Sequence, residues 1–303
     1  MWRKRILGRV EFILMDAAEI LNNIFEERSM LRKTELVCIV LALATSLAAG
    51  ADVAPMAAKL SAAEIVDRNV SARGGLPAWR AVHAMSLTGK MEAGGNNRPT
   101  LPVPGVKNAG VPSQRLKEQA QLPFIMDLKR PRKSRIEIRF NGQTAVQVYD
   151  GSNGWKLRPF LNRHEVETFT PEEMKAASLQ ADLDGYLIDY AAKGTKVEVE
   201  GVEKVENTDA YKLKVTLKGG QEQHVWVDAK TFLEVKIQGT PRRLDGRYHA
   251  VAIYPRDYRR VNGLMVPFVL ETVVDGVKQT EKILVENVTV DPKLDDALFA
   301  KLQ

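Results

Sequence analysis

Tyr211-Lys212-Leu213-Lys214-Val215-Thr216-Leu217-Lys218-Gly219-Gly220 is the most regular stretch of this chain. Apolar and polar side chains alternate with a period of two. That period puts Tyr211, Leu213, Val215 and Leu217 on one face of a β-strand and the lysines on the other. Gly219-Gly220 signals a hairpin, and Val225 and Val227 carry the return strand. The pattern continues outward in both directions. Upstream, Val197, Val199 and Val205 alternate with Glu198 and Glu200. Downstream come Leu233, Val235 and Ile237, then Tyr248, Val251, Ile253 and Tyr258. Asn262-Gly263 and Asp275-Gly276 are hairpin turns flanking residues 266–274, and a last strand ends near Val290. Nearer the N-terminus, Ile136, Ile138 and Phe140 form one strand, Val146 and Val148 a second, and Trp155 opens a third after Asp150-Gly151-Ser152-Asn153-Gly154. Strands joined by tight turns form a meander with one apolar and one wetted face. Such a sheet covers its apolar face by curling up or by packing helices inside.

Helical signals are few. Ser61-Ala62-Ala63-Glu64 has the form of a capping box, Leu60, Ile65, Val66 and Val70 follow at helical spacing, and Gly74-Gly75 is a stop. Residues 76–84 add a turn around Trp79. Thr170-Pro171-Glu172-Glu173 starts a helix continued by Met174, Ala177, Leu179 and Leu183, with a second helical piece over Leu187, Ile188 and Tyr190 that ends at Gly194. Asp291-Pro292 precedes a short helix over residues 294–302. Helices over 61–73, 171–193 and 294–302 are too few for a layer of their own and are expected to plug a curved sheet. The segment from Gly94 to Pro112 is rich in Gly, Asn and Pro without periodicity and reads as a disordered loop between strands.

The chain has 303 residues, 45% of them hydrophobic and 27% charged, with a net charge of +6. That composition excludes a disordered chain and a polytopic helical membrane protein. The excess of cations suits an anionic membrane surface or an acidic partner without selecting either. Cys38, the single cysteine, can form no internal disulfide and no thiolate zinc site of its own. It lies in an apolar run, Leu36 to Ala49, preceded by Arg32 and Lys33 and followed by Ala49-Gly50-Ala51. A basic start, a short apolar middle and an A-x-A exit make a secretory signal peptide. The domain expectation is a mis-called extension over 1–29, a signal peptide over 30–51 and one domain over 52–303. The alternative is a cytosolic stub, with Leu36 to Ala49 kept as an uncleaved inner-membrane anchor.

Residues 127–160 carry a resemblance. Lys129-Arg130-Pro131 ends one strand, Asp150-Gly151 turns about twenty residues later, and Trp155 follows shortly after. Gly263-Leu264-Met265-Val266-Pro267, Asn287-Val288-Thr289-Val290-Asp291-Pro292 with Leu298-Phe299 beyond it, and Gly74-Gly75 before Trp79 complete the set. Together they resemble the periplasmic outer-membrane lipoprotein-sorting (LolA-like) family over most of the exported chain. The resemblance implies a mainly β fold with a few α-helices. This is an unclosed antiparallel β-barrel of roughly eleven strands, with helices as a lid or plug over an apolar cavity that holds acyl chains. It also implies that Arg130, in the K-R-P motif, contacts the lid and handles cargo.

The expected function is a periplasmic lipid- or lipoprotein-binding carrier. The alternative is an envelope-stress sensor or interaction module that uses the same fold to read lipids or mislocalised lipoproteins. Candidates for the cavity lining are Ile136, Ile138, Phe140, Val146, Val148, Trp155 and Trp226. The expected partners are lipid or lipoprotein acyl chains and a membrane-bound donor or acceptor protein, and the expected state is a monomer. No cofactor and no metal is expected, because His83, His164, His224 and His249 are scattered without ligand spacing. No enzymatic motif stands out: there is no G-x-S-x-G, P-loop or dinucleotide fingerprint. Asp182 and Asp184 read as solvated or capping carboxylates rather than a working pair. Nucleic acid is not an expected partner, since the basic run of Lys129, Arg130, Arg132, Lys133 and Arg135 lacks interleaved aromatics.

Overall fold

Thirteen strands pair in a single antiparallel sheet, in the spatial order β6-β5-β4-β3-β2-β1-β13-β12-β11-β10-β9-β8-β7. The computed structural model describes residues 60–94, 119–159, 163–244, 247–278 and 280–302. The expectations for residues 1–51, and for the loop beyond Gly94, lie outside them. In chain order the elements are α1 (Ala62–Ala72), α2 (Leu76–Ala81), β1 (Ala84–Gly94), β2 (Gln119–Lys129), β3 (Lys133–Phe140), β4 (Gln143–Tyr149), β5 (Gly154–Arg158) and β6 (Arg163–Thr168). Then come α3 (Pro171–Gln180), β7 (Lys196–Val205), β8 (Thr208–Thr216), β9 (Glu222–Asp228), β10 (Glu234–Leu244), β11 (Arg247–Val261), β12 (Leu264–Val274), β13 (Glu281–Val290) and a 3-10 turn at Asp296–Phe299.

The meander is broken once. β1 pairs with β2 on one side and with β13, the last strand, on the other. That pairing joins the two halves of the sheet and leaves β6 and β7, neighbours in sequence, at opposite edges. Residues 169–195 therefore run from one edge of the unclosed barrel to the other as a strap. The β1–β13 ladder shifts register at Thr88/Gly89. A Cβ on Gly89 would stand 2.0 Å from the Leu284 carbonyl oxygen, so only glycine admits this close approach.

Helices pack inside the curve. α1 starts on the expected capping box, with the Ser61 hydroxyl accepting from Glu64 N and the Glu64 carboxylate accepting from Ser61 N. Its Ile65 and Val66 are buried with Tyr211, Leu213 and Val215 of β8 and Val225 and Val227 of β9. Trp79 of α2 is 1% exposed, in a cluster with Met85, Leu128, Leu264, Val266 and Val288. Truncating such a side chain costs about 3–5 kcal/mol, so α2 is a fixed part of the core.

Three expectations differ from the structure. The described residues form thirteen strands, where the resemblance implies roughly eleven. Residues 181–195 are turns rather than a second helical piece, because Gly185 and Asp189 hold positive φ angles of 77° and 54°. The C-terminal segment also does not plug the barrel. Phe299, Leu294, Leu298 and Leu302 pack on Val146, Val148 and Trp155, on the convex side of the sheet.

Candidate functional site

Register decides which side chains face the inside of the curve. Phe124 of β2 lies opposite Ile138 of β3, and Ile138 opposite Ala145 of β4. All three belong to the main internal cluster, together with Met91 and Leu122. Ile136 and Phe140 share this face and are half-buried, as are Leu87, Met126 and Ile283. The concave wall is thus apolar over β13, β1, β2 and β3, and several of its side chains keep part of their surface uncovered.

The expected wall residues divide. Ile136, Ile138 and Phe140 lie on the concave face. Val146 and Val148 do not, since they pair with Glu137 and Arg135 while Ala145 and Gln147 take the inner positions of β4. Trp155 pairs with Val148 and shares its outward direction. Trp226 pairs with Lys212 and Lys236 on the convex face and donates its indole N–H to Glu203 at 2.9 Å. The misassignment has a physical cause. The outer face of β4 is apolar because the C-terminal segment covers it, while its inner face carries Gln147, and Val225-Trp226-Val227 is an unbroken apolar run in which alternation names no face.

The motifs behind the resemblance meet at one end of the barrel. Gly74, at φ +115°, passes so close to Gly263 that a Cβ would stand 2.6 Å from its carbonyl oxygen. Met265 N donates to the Arg73 carbonyl at 3.0 Å, and so does the Trp79 indole, also at 3.0 Å. Asp291 closes the other side, its carboxylate accepting from His83 N at 2.6 Å and Ala84 N at 3.0 Å. The Asp150 carboxylate accepts from Ser152 N and Asn153 N, which shapes the β4–β5 turn. That turn rests on the K-R-P turn, where a Cβ on Gly151 would lie 3.3 Å from the Pro131 carbonyl oxygen. Segments far apart in sequence therefore form one junction that seats α2 against β1, β2 and β12.

Arg130 links this junction to the strap. Its guanidinium donates to the carbonyls of Val82 at 2.8 Å and Trp79 at 3.1 Å, and to the Asp184 carboxylate at 2.7 Å. Asp184 is 2% exposed as a side chain. Lys193 donates to Asp182 and Asp184, each at 2.9 Å, and to the Gly185 carbonyl at 2.7 Å. Arg73 donates to the Asp184 carbonyl at 3.2 Å, pairs with Glu234 at 3.1 Å and stacks on Trp79. Arg80 pairs twice with Asp189 near the far end of the strap. Two neighbouring carboxylates in this setting titrate apart. Burial, and the hydrogen bond it shares with Asp184, push Asp182 up to about 6. Burial would raise Asp184 too, but the Asp182 hydrogen bond, Lys193 and Arg130 outweigh it and hold this carboxyl at about 2.

The expectation that Asp182 and Asp184 are solvated or capping groups is therefore corrected: they hold the strap. A signal was present in Ala181-Asp182-Leu183-Asp184-Gly185-Tyr186-Leu187-Ile188, where two acids sit in an apolar run and so require cations. What the sequence did not show is that Arg130 and Lys193 supply them.

A second tether lies at the other end of the strap. Lys156 pairs with the inward-facing Gln147, so it points to the concave side, and it is 4% exposed. Its ammonium donates to Glu173 of α3 at 2.5 Å. Glu173 also accepts from Thr170 N in the capping box of α3. Arg158, 2% exposed, pairs with Glu167 of β6 at 2.7 Å. Among the described residues, no group of three or more His, Cys, Asp or Glu is placed to hold a metal ion. No described helix is long and apolar enough to cross a membrane.

No family model matches the chain, and no curated protein matches it. Solved structures do. A DUF1329 family protein from Desulfovibrio piger superposes with a TM-score of 0.50 at 17% identity, over 79% of this chain and 97% of that one. An outer-membrane lipoprotein-sorting protein domain from Vibrio parahaemolyticus also gives 0.50, at 12% identity over 78% and 95%. A LolA-superfamily protein from Nitrosomonas europaea gives 0.49 at 14% identity, over 80% and 98%. At these identities the likeness is one of fold. In fold, the resemblance carried by Lys129-Arg130-Pro131, Asp150-Gly151 and Trp155 is borne out: the chain has the unclosed, LolA-like half-barrel of lipoprotein-sorting domains.

Proposed function

We propose that this protein is a periplasmic carrier that holds the acyl chains of a lipid or lipoprotein against its concave wall, as a binding protein rather than an enzyme. One observation carries the reading. Leu87, Met126, Ile136, Phe140 and Ile283 line the inside of an unclosed barrel and are only partly covered. Each buried CH2 group contributes about 0.8 kcal/mol, so a few chains laid on this wall would bind without any chemistry. The strap supports the reading as well. It crosses the seam and is held largely by hydrogen bonds and ion pairs from Arg130, Lys193, Arg80 and Lys156. A membrane-bound donor or acceptor protein would load and unload the monomeric carrier.

Titration of the exported chain with cis-parinaric acid methyl ester tests this. The expected result is saturable fluorescence enhancement, together with lipid recovered by mass spectrometry from protein purified out of its native envelope. Absence of both overturns the carrier. Capture of one inner-membrane protein without lipid would transfer the assignment to the sensor or interaction module.

A further inference from the structure

The α3 helix is attached in an unusual way. It contains Met174, Ala176, Ala177 and Leu179, all only half-buried, yet its one buried residue is Glu173. The helix thus rests on the sheet through a carboxylate rather than through an apolar stripe. The partner of that carboxylate, Lys156, lies on the concave face, with Arg158 two residues along the same strand and facing the same way. Across β4 the wall turns apolar, at Ala145, Ile138 and Phe124. One wall therefore runs from hydrocarbon to buried cation across four strands, β2 to β5.

That sequence of surfaces matches a molecule with a hydrocarbon tail and an acidic head. A buried ammonium is costly without a counter-charge, and here Glu173 of the strap supplies the near one, with Glu167 of β6 farther off at 3.8 Å. If α3 lifts to admit a tail, Glu173 leaves Lys156, and an incoming acid can take its place with no net loss of ion pairing. We propose that Lys156, with Arg158 beside it, is the seat for the anionic head of an acyl-chain ligand, and that Glu173 holds this seat until the ligand's carboxylate or phosphate displaces it. The inference rests on the carrier reading and adds a ligand class to it: anionic rather than neutral amphiphiles.

The test compares two probes that differ only in the head, cis-parinaric acid and its methyl ester, on the full exported chain. Wild type should bind the acid about tenfold more tightly than the ester, the value of one charge-assisted contact in a partly dry site. Glu173→Gln removes the internal competitor and should raise the acid-to-ester ratio further. Lys156→Met alone would leave Glu173 buried and unpaired and so risks unfolding. The double variant Lys156→Met with Glu173→Gln removes both charges and should fold, with the ratio falling to about one. Inorganic phosphate at millimolar concentration should displace neither probe. If it displaces the acid, the site takes free anions and the amphiphile proposal is overturned. Equal binding of acid and ester in wild type, or a ratio unchanged in the folded double variant, overturns the headgroup seat and leaves the carrier standing. Failure of both probes to bind removes the carrier and the seat together.

Discussion

Asp182 and Asp184 each place one carboxylate oxygen 2.9 Å from the ammonium of Lys193. The folded strap thus sets two acids with opposite titration behaviour on one cation. Asp182, raised to about 6 from 3.8, favours the fold when protonated. Its contribution is fully present below the unfolded value near 4 and is lost as pH rises through about 6. Asp184, held at about 2, contributes above the unfolded value and loses that contribution as pH falls from about 4 toward 2. The strap should be anchored most firmly near pH 4 and should loosen steadily as pH rises toward 6. Urea unfolding near pH 5 should give a stability on the order of 1 kcal/mol above that near pH 7.5, and Asp182→Asn should remove most of the difference. An equal pH dependence in the variant would show that other groups cause it.

Arg130 joins three segments: the end of β2, the last turn of α2 and the strap. Arg130→Leu should lower stability by about 1–2 kcal/mol, a value tempered by the exposure of its guanidinium. Amide exchange should show where the loss falls. Residues 181–195 should exchange faster, while β8 and β9 keep their protection. Uniform acceleration over the whole sheet would mean that Arg130 supports the fold and not the strap in particular. Cargo transfer should weaken in the same variant, and transfer at the wild-type rate would separate Arg130 from cargo handling.

The parts legible in the sequence were those that one strand or one turn decides alone. Tyr211, Leu213 and Val215 alternate cleanly and face inward as their period requires, and Ser61 and Glu64 form the capping box their spacing announces. Ambiguity began where both faces of a strand are covered. Gln147, the one polar residue between Val146 and Val148, suggested an outward position, yet it faces inward beside Lys156. Its polarity reflects the charged end of the concave wall, which no single strand reveals. The strap was hidden for a related reason. The Asp184 carboxylate is answered by Arg130 across 54 positions and its backbone carbonyl by Arg73 across 111, and partners at that separation are set by the fold's topology rather than by local pattern.

Phe299 supplies a test of the convex face. It is 1% exposed, against Val146, Val148, Trp155 and Leu294. Phe299→Ala should cost about 3–4 kcal/mol through lost burial and the cavity left behind. Val146 and Val148 lie on the side of the sheet away from the wall, so the variant, once folded, should bind an acyl probe as tightly as wild type. A parallel loss of stability and affinity would mean that the two faces are coupled through β4.

The concave wall can be tested against Trp226 at the same time. Ile136 is half-buried on the inner face, so a polar replacement there does not strand a charge in a sealed core. Ile136→Asp should keep the fold and lower affinity for the methyl ester probe by about tenfold, since a carboxylate would have to be desolvated beneath the chain. Trp226→Phe alters the opposite face, where the indole meets Glu203, Lys212 and Lys236. It should leave probe affinity unchanged while costing some stability through the lost hydrogen bond. The two variants measured side by side by fluorescence titration fix the direction from which the ligand is held. Loss of binding in Trp226→Phe with retention in Ile136→Asp would place the ligand on the convex face and reverse the assignment of the wall.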